Sequence, residues 1–229
     1  EALRNQSLQY DFILQKYLHD IWHSESVPHA SSSDSFNIII EFIENNEENF
    51  VALTKEAKMD TAKVRTKLTN LQTTLQYYFS SCPVQPNKIT IDIIKKMHSA
   101  LMKDLLDNAG KFRNYGARPE HSICEYAPPE KINNKLQNLI DFCETKFLEI
   151  QNDLTIEKGI LLASLFFSEF LLIHPFSNGN GRLARILLSI YLSPFIVVPN
   201  TFDARKRKVY IDVLENRSVY PFDAPIQLA

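Results

Sequence analysis

Glycine is scarce in this chain. Five glycines occur in 229 residues, too few for the many tight turns of an all-β fold, so helices are favoured. Cysteine is scarce too. Cys82, Cys124 and Cys143 lie far apart with no CxxC pair, which argues against a disulfide framework or a cysteine zinc site and favours a reducing, cytoplasmic setting. Basic residues are not in excess: the net charge is −2, and nothing points to nucleic acid as a partner. A long apolar run is missing as well. The most apolar stretch, Gly159–Ile173, is interrupted by Glu169 and falls short of the roughly 20 residues that span a bilayer. It reads as a buried core helix, with no membrane partner. The opening EALRNQSLQYDF does not look like a signal peptide. Position 1 is Glu, so the chain reads as a fragment of a longer protein.

What is present is enough apolar material, 45% of residues, for a sizeable core. Apolar spacing predicts an amphipathic helix over residues 1–27, broken at Pro28 and the serines that follow. A second helix is expected after Ser35, carrying Ile38–Glu44. A long one is expected over Lys55–Phe79, and another from an N-cap at Thr90 through Leu106. Residues 110–128 hold Gly110, Gly116, Pro119, Pro128 and Pro129 and little helical periodicity, so a loop or short hairpin is expected. Helices resume over Pro129–Ile150, Thr155–Ile173, Arg182–Leu192 and about Asp203–Asn216. His19 and His23 stand at i and i+4, a spacing that can bind zinc, but no third ligand accompanies them and they read as a surface pair.

The chemistry concentrates in HPFSNGNGRLAR, residues 174–185. Two apolar helices are joined by a turn rich in His, Asn and Gly, a composition that packing does not require. Glycines let backbone amides face a ligand with no Cβ in the way, and the next helix begins there with its free N–H groups. Such a turn suits an anion, phosphate above all. Arg182 and Arg185, at i and i+3, share a helix face near it and suggest more than one phosphate. His174, at the other end of the turn, has the chemistry to take a proton from an attacking hydroxyl. Taken singly, each feature has a plain structural explanation: a helix cap, a turn, two surface charges. The joint pattern is harder to explain as structure alone.

The segment resembles the Fic family signature HxFx(D/E)GNGRxxR. His174, Phe176, Gly179, Asn180, Gly181, Arg182 and Arg185 match it. Gly110-Lys111-Phe112-Arg113 resembles the family's GxFR before a β-hairpin flap, and Tyr126-Ala127-Pro128-Pro129 its YxPP after it. Tyr210 through Leu214 and Arg217 resemble the helix that closes the nucleotide pocket.

The resemblance implies an all-α fold, a Fic-type helical core with a small β-hairpin flap. The implied division is an N-terminal helical extension over residues 1–35 and a Fic domain over 36–229. It implies a protein adenylyltransferase that moves AMP from ATP, with Mg²⁺ or Mn²⁺, to a Ser, Thr or Tyr hydroxyl of a protein substrate. His174 would be the base. Asn178, Gly179, Asn180, Gly181, Arg182, Arg185, Tyr210 and Leu214 would bind the nucleotide. Arg118, Ser122 and Ile123 would lie in the target-docking flap, and a homodimer is among the partners it implies.

One position departs. Asn178 stands where most relatives carry an acidic, metal-side residue; its oxygen remains a ligand for Mg²⁺ but brings no charge. Alternatives therefore stay open: transfer of UMP or phosphocholine, or a degenerate binding module. Ile43-Glu44-Asn45-Asn46 partly resembles the inhibitory pattern (S/T)xxxE(G/N), with Ile40 where the hydroxyl belongs. Glu44 would there inhibit by pairing with Arg185, or activate water for AMP removal. Equally, it is one charge on a solvated face with Glu41, Glu47 and Glu48.

Overall fold

The computed structural model describes residues 17–19, 32–118, 125–153 and 155–196. The expected helix over Asp203–Asn216 lies outside them, with Tyr210, Leu214 and Arg217. Every regular element among the described residues is helical: α1 (Ser32–Ile43), α2 (Glu47–Glu56), α3 (Thr61–Gln76), α4 (Ile91–Leu101), α5 (Ile132–Ile150), α6 (Ile156–Ile173) and α7 (Asn180–Leu192). No strand occurs among these residues, so the flap is not seen as a hairpin. Its tip, residues 119–124, lies outside the description. Among the described residues, the segments on either side are joined by a backbone hydrogen bond from the Tyr126 N–H to the Ala117 carbonyl at 2.9 Å.

Helix ends follow local chemistry. The Thr90 hydroxyl caps α4 by accepting from the Ile93 N–H at 3.2 Å, and Thr155 caps α6 through Lys158 N–H at 3.4 Å. Several boundaries differ from the sequence expectation, two of them for a visible backbone reason. The long helix over Lys55–Phe79 is two helices, because Lys58 is left-handed (φ 55°) and Asp60 caps a new start through the Lys63 N–H at 3.0 Å. The helix from Thr90 ends at Leu101 rather than Leu106, and the turns beyond it include a left-handed Asp104 (φ 58°).

The core centres on α7. Asn180 and every residue from Arg182 to Leu192 are buried, so this helix is surrounded by protein on all sides. The helix α6 lies beside it, and Phe166 and Tyr191 meet at 4.7 Å between ring centroids. Gly159 inside α6 is a packing requirement: a Cβ there would come within 2.4 Å of the Phe195 ring. Tyr17 and Leu18, within the N-terminal stretch, are buried in the same core cluster. Among the described residues no helix is long and apolar enough to cross a membrane.

Candidate functional site

The turn from α6 to α7 starts at His174, which is left-handed (φ 50°, ψ 60°) and ends α6 with its N–H on the Phe170 carbonyl at 3.0 Å. A non-glycine residue in this region carries strain of about 1 kcal/mol or more, offset by the contacts His174 makes. The His174 ring stacks on Tyr126, centroids 3.9 Å apart and planes 7° from parallel. Burial, above all, lowers its pKa to about 4; a hydrogen bond to the Leu171 carbonyl opposes the shift and the Arg113 charge adds to it. The ring is therefore neutral near pH 7. One ring N–H is held by Leu171, so the other nitrogen carries the lone pair a base needs.

Arg113 ties this end of the turn to the irregular segments that carry Tyr115 and Ala127. It is buried, and its guanidinium donates to the carbonyls of His174 (2.7 Å), Tyr115 (2.6 Å), Ile173 (3.3 Å) and Ala127. Its own N–H donates to the Pro175 carbonyl at 2.9 Å. Four carbonyls converging on one fork exploit the fixed donor geometry of arginine.

The turn closes on itself through Asn180. The Asn180 Oδ1 accepts from the Phe176 N–H at 3.0 Å, and its Nδ2 donates to the Phe176 carbonyl at 2.8 Å. The oxygen and one of the two N–H groups of this buried amide are thereby committed to holding the turn. The helix begins at Asn180, two residues earlier than the spacing predicted, so the amides of Asn180 and Gly181 belong to its first turn. Gly179 is left-handed (φ 77°), and a Cβ there would sit 2.7 Å from Met102 Sδ. Only glycine fits.

Asn178 is exposed, and its Oδ1 accepts from the Gly179 N–H at 2.6 Å. The Ser177 hydroxyl donates to Asn108 Oδ1 at 2.9 Å. Among the described residues no three His, Cys, Asp or Glu side chains are grouped for a metal. One neutral amide oxygen already in use does not by itself make a resident Mg²⁺ site.

Arg182 and Arg185 are both buried rather than solvated, 9% and 2% exposed, and both interact with neighbours. Tyr17 lies beside Ser189 and within the field of Arg185. Glu44 is exposed, in the turn after α1, and no ion pair joins it to Arg185 among the described residues. Arg118 is exposed on the first flap arm; Ser122 and Ile123 lie outside the described residues, as does His23.

His98 is a residue that composition and spacing do not single out. It is fully buried on α4, stacked on Phe176 with centroids 3.7 Å apart and planes 4° from parallel. Its Nδ1 accepts from the Gly110 N–H at 2.8 Å, and its Nε2 meets the Asn178 carbonyl at 2.9 Å. In the sequence it is one more histidine, 80 residues from its partner.

A helical core whose central helix opens on such a glycine turn, beneath a neutral histidine, has the architecture of a Fic domain. Residues 88–192 match the profile of the Fic/DOC family, which supports a Fic family protein. Over 120 residues it is 28% identical to protein adenylyltransferase fic-1 of Caenorhabditis elegans, covering 49% of this chain and 22% of that one. Over 125 residues it is 28% identical to protein adenylyltransferase Fic of Nematostella vectensis, covering 53% and 27%. The chain thus spans less than a third of these relatives. Its fold matches the crystal structure of a Fic domain containing signaling protein from Bacteroides thetaiotaomicron, with a TM-score of 0.70, 16% identity, and coverage of 94% of this chain and 76% of that one. These likenesses support a Fic-type transferase.

Proposed function

We propose that this chain is a protein adenylyltransferase. The observation that carries the proposal is a neutral His174 at the head of a glycine turn that leads into the first-turn amides of α7. A target hydroxyl gives its proton to the free ring nitrogen of His174. The oxygen then forms a bond to the α-phosphorus of ATP, the bond to the β-phosphate bridging oxygen breaks, and pyrophosphate leaves with its electron pair. The amides of Gly179, Asn180 and Gly181 hold phosphate oxygens, Arg182 and Arg185 neutralise the outer phosphates, and Mg²⁺ or Mn²⁺ enters bound to the nucleotide, beside Asn178.

In this reading Tyr210 and Leu214 close over the base. Residues 114–126 form the flap that pairs with an extended target segment near Arg118, Ser122 and Ile123. Residues 1–35 extend a Fic domain over 36–229, and Glu44 restrains ATP binding by competing for Arg185 when its turn moves onto α7.

The test is intact mass after incubation with ATP and Mg²⁺. A gain of one AMP in the wild type, absent in His174→Ala that still folds and binds ATP, is the expected result. No adduct on the chain or on any added protein would remove the reading, and an adduct of UMP or phosphocholine mass from those donors would replace it.

A further inference from the structure

We propose that His98 is a positioning residue for the anion-binding turn: it fixes the plane of the Asn178–Gly179 peptide so that the Gly179 N–H faces the nucleotide. The argument begins with the tautomer. A backbone N–H can only donate, so Nδ1 of His98, which receives the Gly110 N–H at 2.8 Å, must carry a lone pair. The ring proton then sits on Nε2, which donates to the Asn178 carbonyl at 2.9 Å. A doubly protonated ring would lose the first bond, and burial keeps the ring neutral, its pKa lowered to about 4.

The second step is peptide geometry. In a trans peptide the C=O of one residue and the N–H of the next point in opposite directions. With the Asn178 carbonyl drawn down onto α4, the Gly179 N–H is directed up and away from it. There it is covered by Asn178 Oδ1 at 2.6 Å, the position a phosphate oxygen would take over. The rest of the turn is pressed against the same histidine. Phe176 stacks on its ring, and the site of a Gly179 Cβ lies 3.4 Å from Nε2 and 2.7 Å from Met102 Sδ. His98 therefore joins three parts of the chain: α4, the loop bearing Gly110, and the signature turn. It touches no reacting atom. The inference rests on the nucleotide-binding reading of the turn, but the peptide orientation it describes is measurable without nucleotide.

Two substitutions separate the two bonds. His98→Gln places an amide N–H near the position of Nε2, keeping a donor for the Asn178 carbonyl while losing Gly110. His98→Asn places an amide oxygen near the position of Nδ1, keeping Gly110 while losing Asn178. Each removes one buried hydrogen bond and the ring stack, so a merely structural histidine would make the two variants alike. In ¹⁵N-labelled full chain, the wild-type His98 signals should be those of the Nε2–H tautomer. The Gly179 amide resonance should move in His98→Asn and stay near its wild-type position in His98→Gln. Titration calorimetry with Mg²⁺–ATP should show His98→Asn about tenfold weaker than His98→Gln at matched thermal stability, the effect of about one hydrogen bond.

An Nδ1–H tautomer, or a Gly179 amide displaced equally in both variants, would overturn the positioning role. So would equal ATP affinity in the two variants of a chain whose wild type binds ATP. If the wild type binds no ATP, the transferase reading fails, and the tautomer and Gly179 measurements still decide the role of His98.

Discussion

His174 and Tyr126 stack face to face, 3.9 Å between centroids and 7° from parallel. The histidine ends α6 and the tyrosine lies on the second flap arm, so the stack links the proposed base to the segment proposed to dock the target. It also accounts for part of the burial that lowers the His174 pKa to about 4. Removing the ring in Tyr126→Ala opens His174 to water. Its pKa should rise toward the ordinary 6.5, and AMP transfer at neutral pH should fall by about tenfold as the ring loses its fixed orientation. Tyr126→Phe should keep both. Histidine NMR titration with parallel rate measurements checks this, and an unmoved His174 titration in Tyr126→Ala would contradict it.

Acid should destabilise the fold through buried His98 and half-buried His174. His98 and His174 bind protons near 6.5 when unfolded and near 4 when folded. Between those values the unfolded chain binds more protons, so stability is full above about pH 6.5 and declines as pH falls toward 4. For the fully buried His98 the loss is about 2 kcal/mol by pH 5. Denaturant melts at pH 7 and pH 5 should show a smaller pH dependence in His98→Gln, which removes one of the two groups. The neutral base predicts a transfer rate that is flat above about pH 6.

The proposed metal dependence should turn on Asn178. Its oxygen now holds the Gly179 N–H at 2.6 Å and brings no charge to a phosphate-bound cation. Asn178→Asp supplies that charge, and Mg²⁺ prefers charged oxygen ligands. The expected outcome is higher transfer at low Mg²⁺, read by titrating the metal at fixed ATP. The same or poorer dependence would place Asn178 on the structural side of the turn only.

Glu44 offers a fourth measurement. It is exposed in the turn that follows α1 and makes no ion pair with Arg185 among the described residues. Inhibition would require that turn to move, and an exposed carboxylate gains little from pairing. Glu44→Gly should therefore raise transfer only modestly, about two- to threefold. Unchanged ATP affinity and self-modification would reduce Glu44 to a surface charge.

The helical class, the signature turn and the starts of α4 and α6 could be read from the sequence, because they rest on local chemistry. Apolar residues recur at helical spacing, Thr90 and Thr155 carry capping hydroxyls, and Gly179 takes the left-handed φ that favours glycine. The break inside Lys55–Phe79 was not legible: apolar spacing continues across it, while the left-handed Lys58 and the Asp60 cap interrupt the backbone. Tertiary structure alone decided the rest. It buried Arg182 and Arg185, which i, i+3 spacing leaves indistinguishable from surface charges. It committed the Asn180 amide to Phe176, gathered four carbonyls around Arg113, and set His98 under a turn 80 residues away. Such contacts join residues distant in the chain, and their energy depends on burial and donor direction, which a linear pattern does not carry.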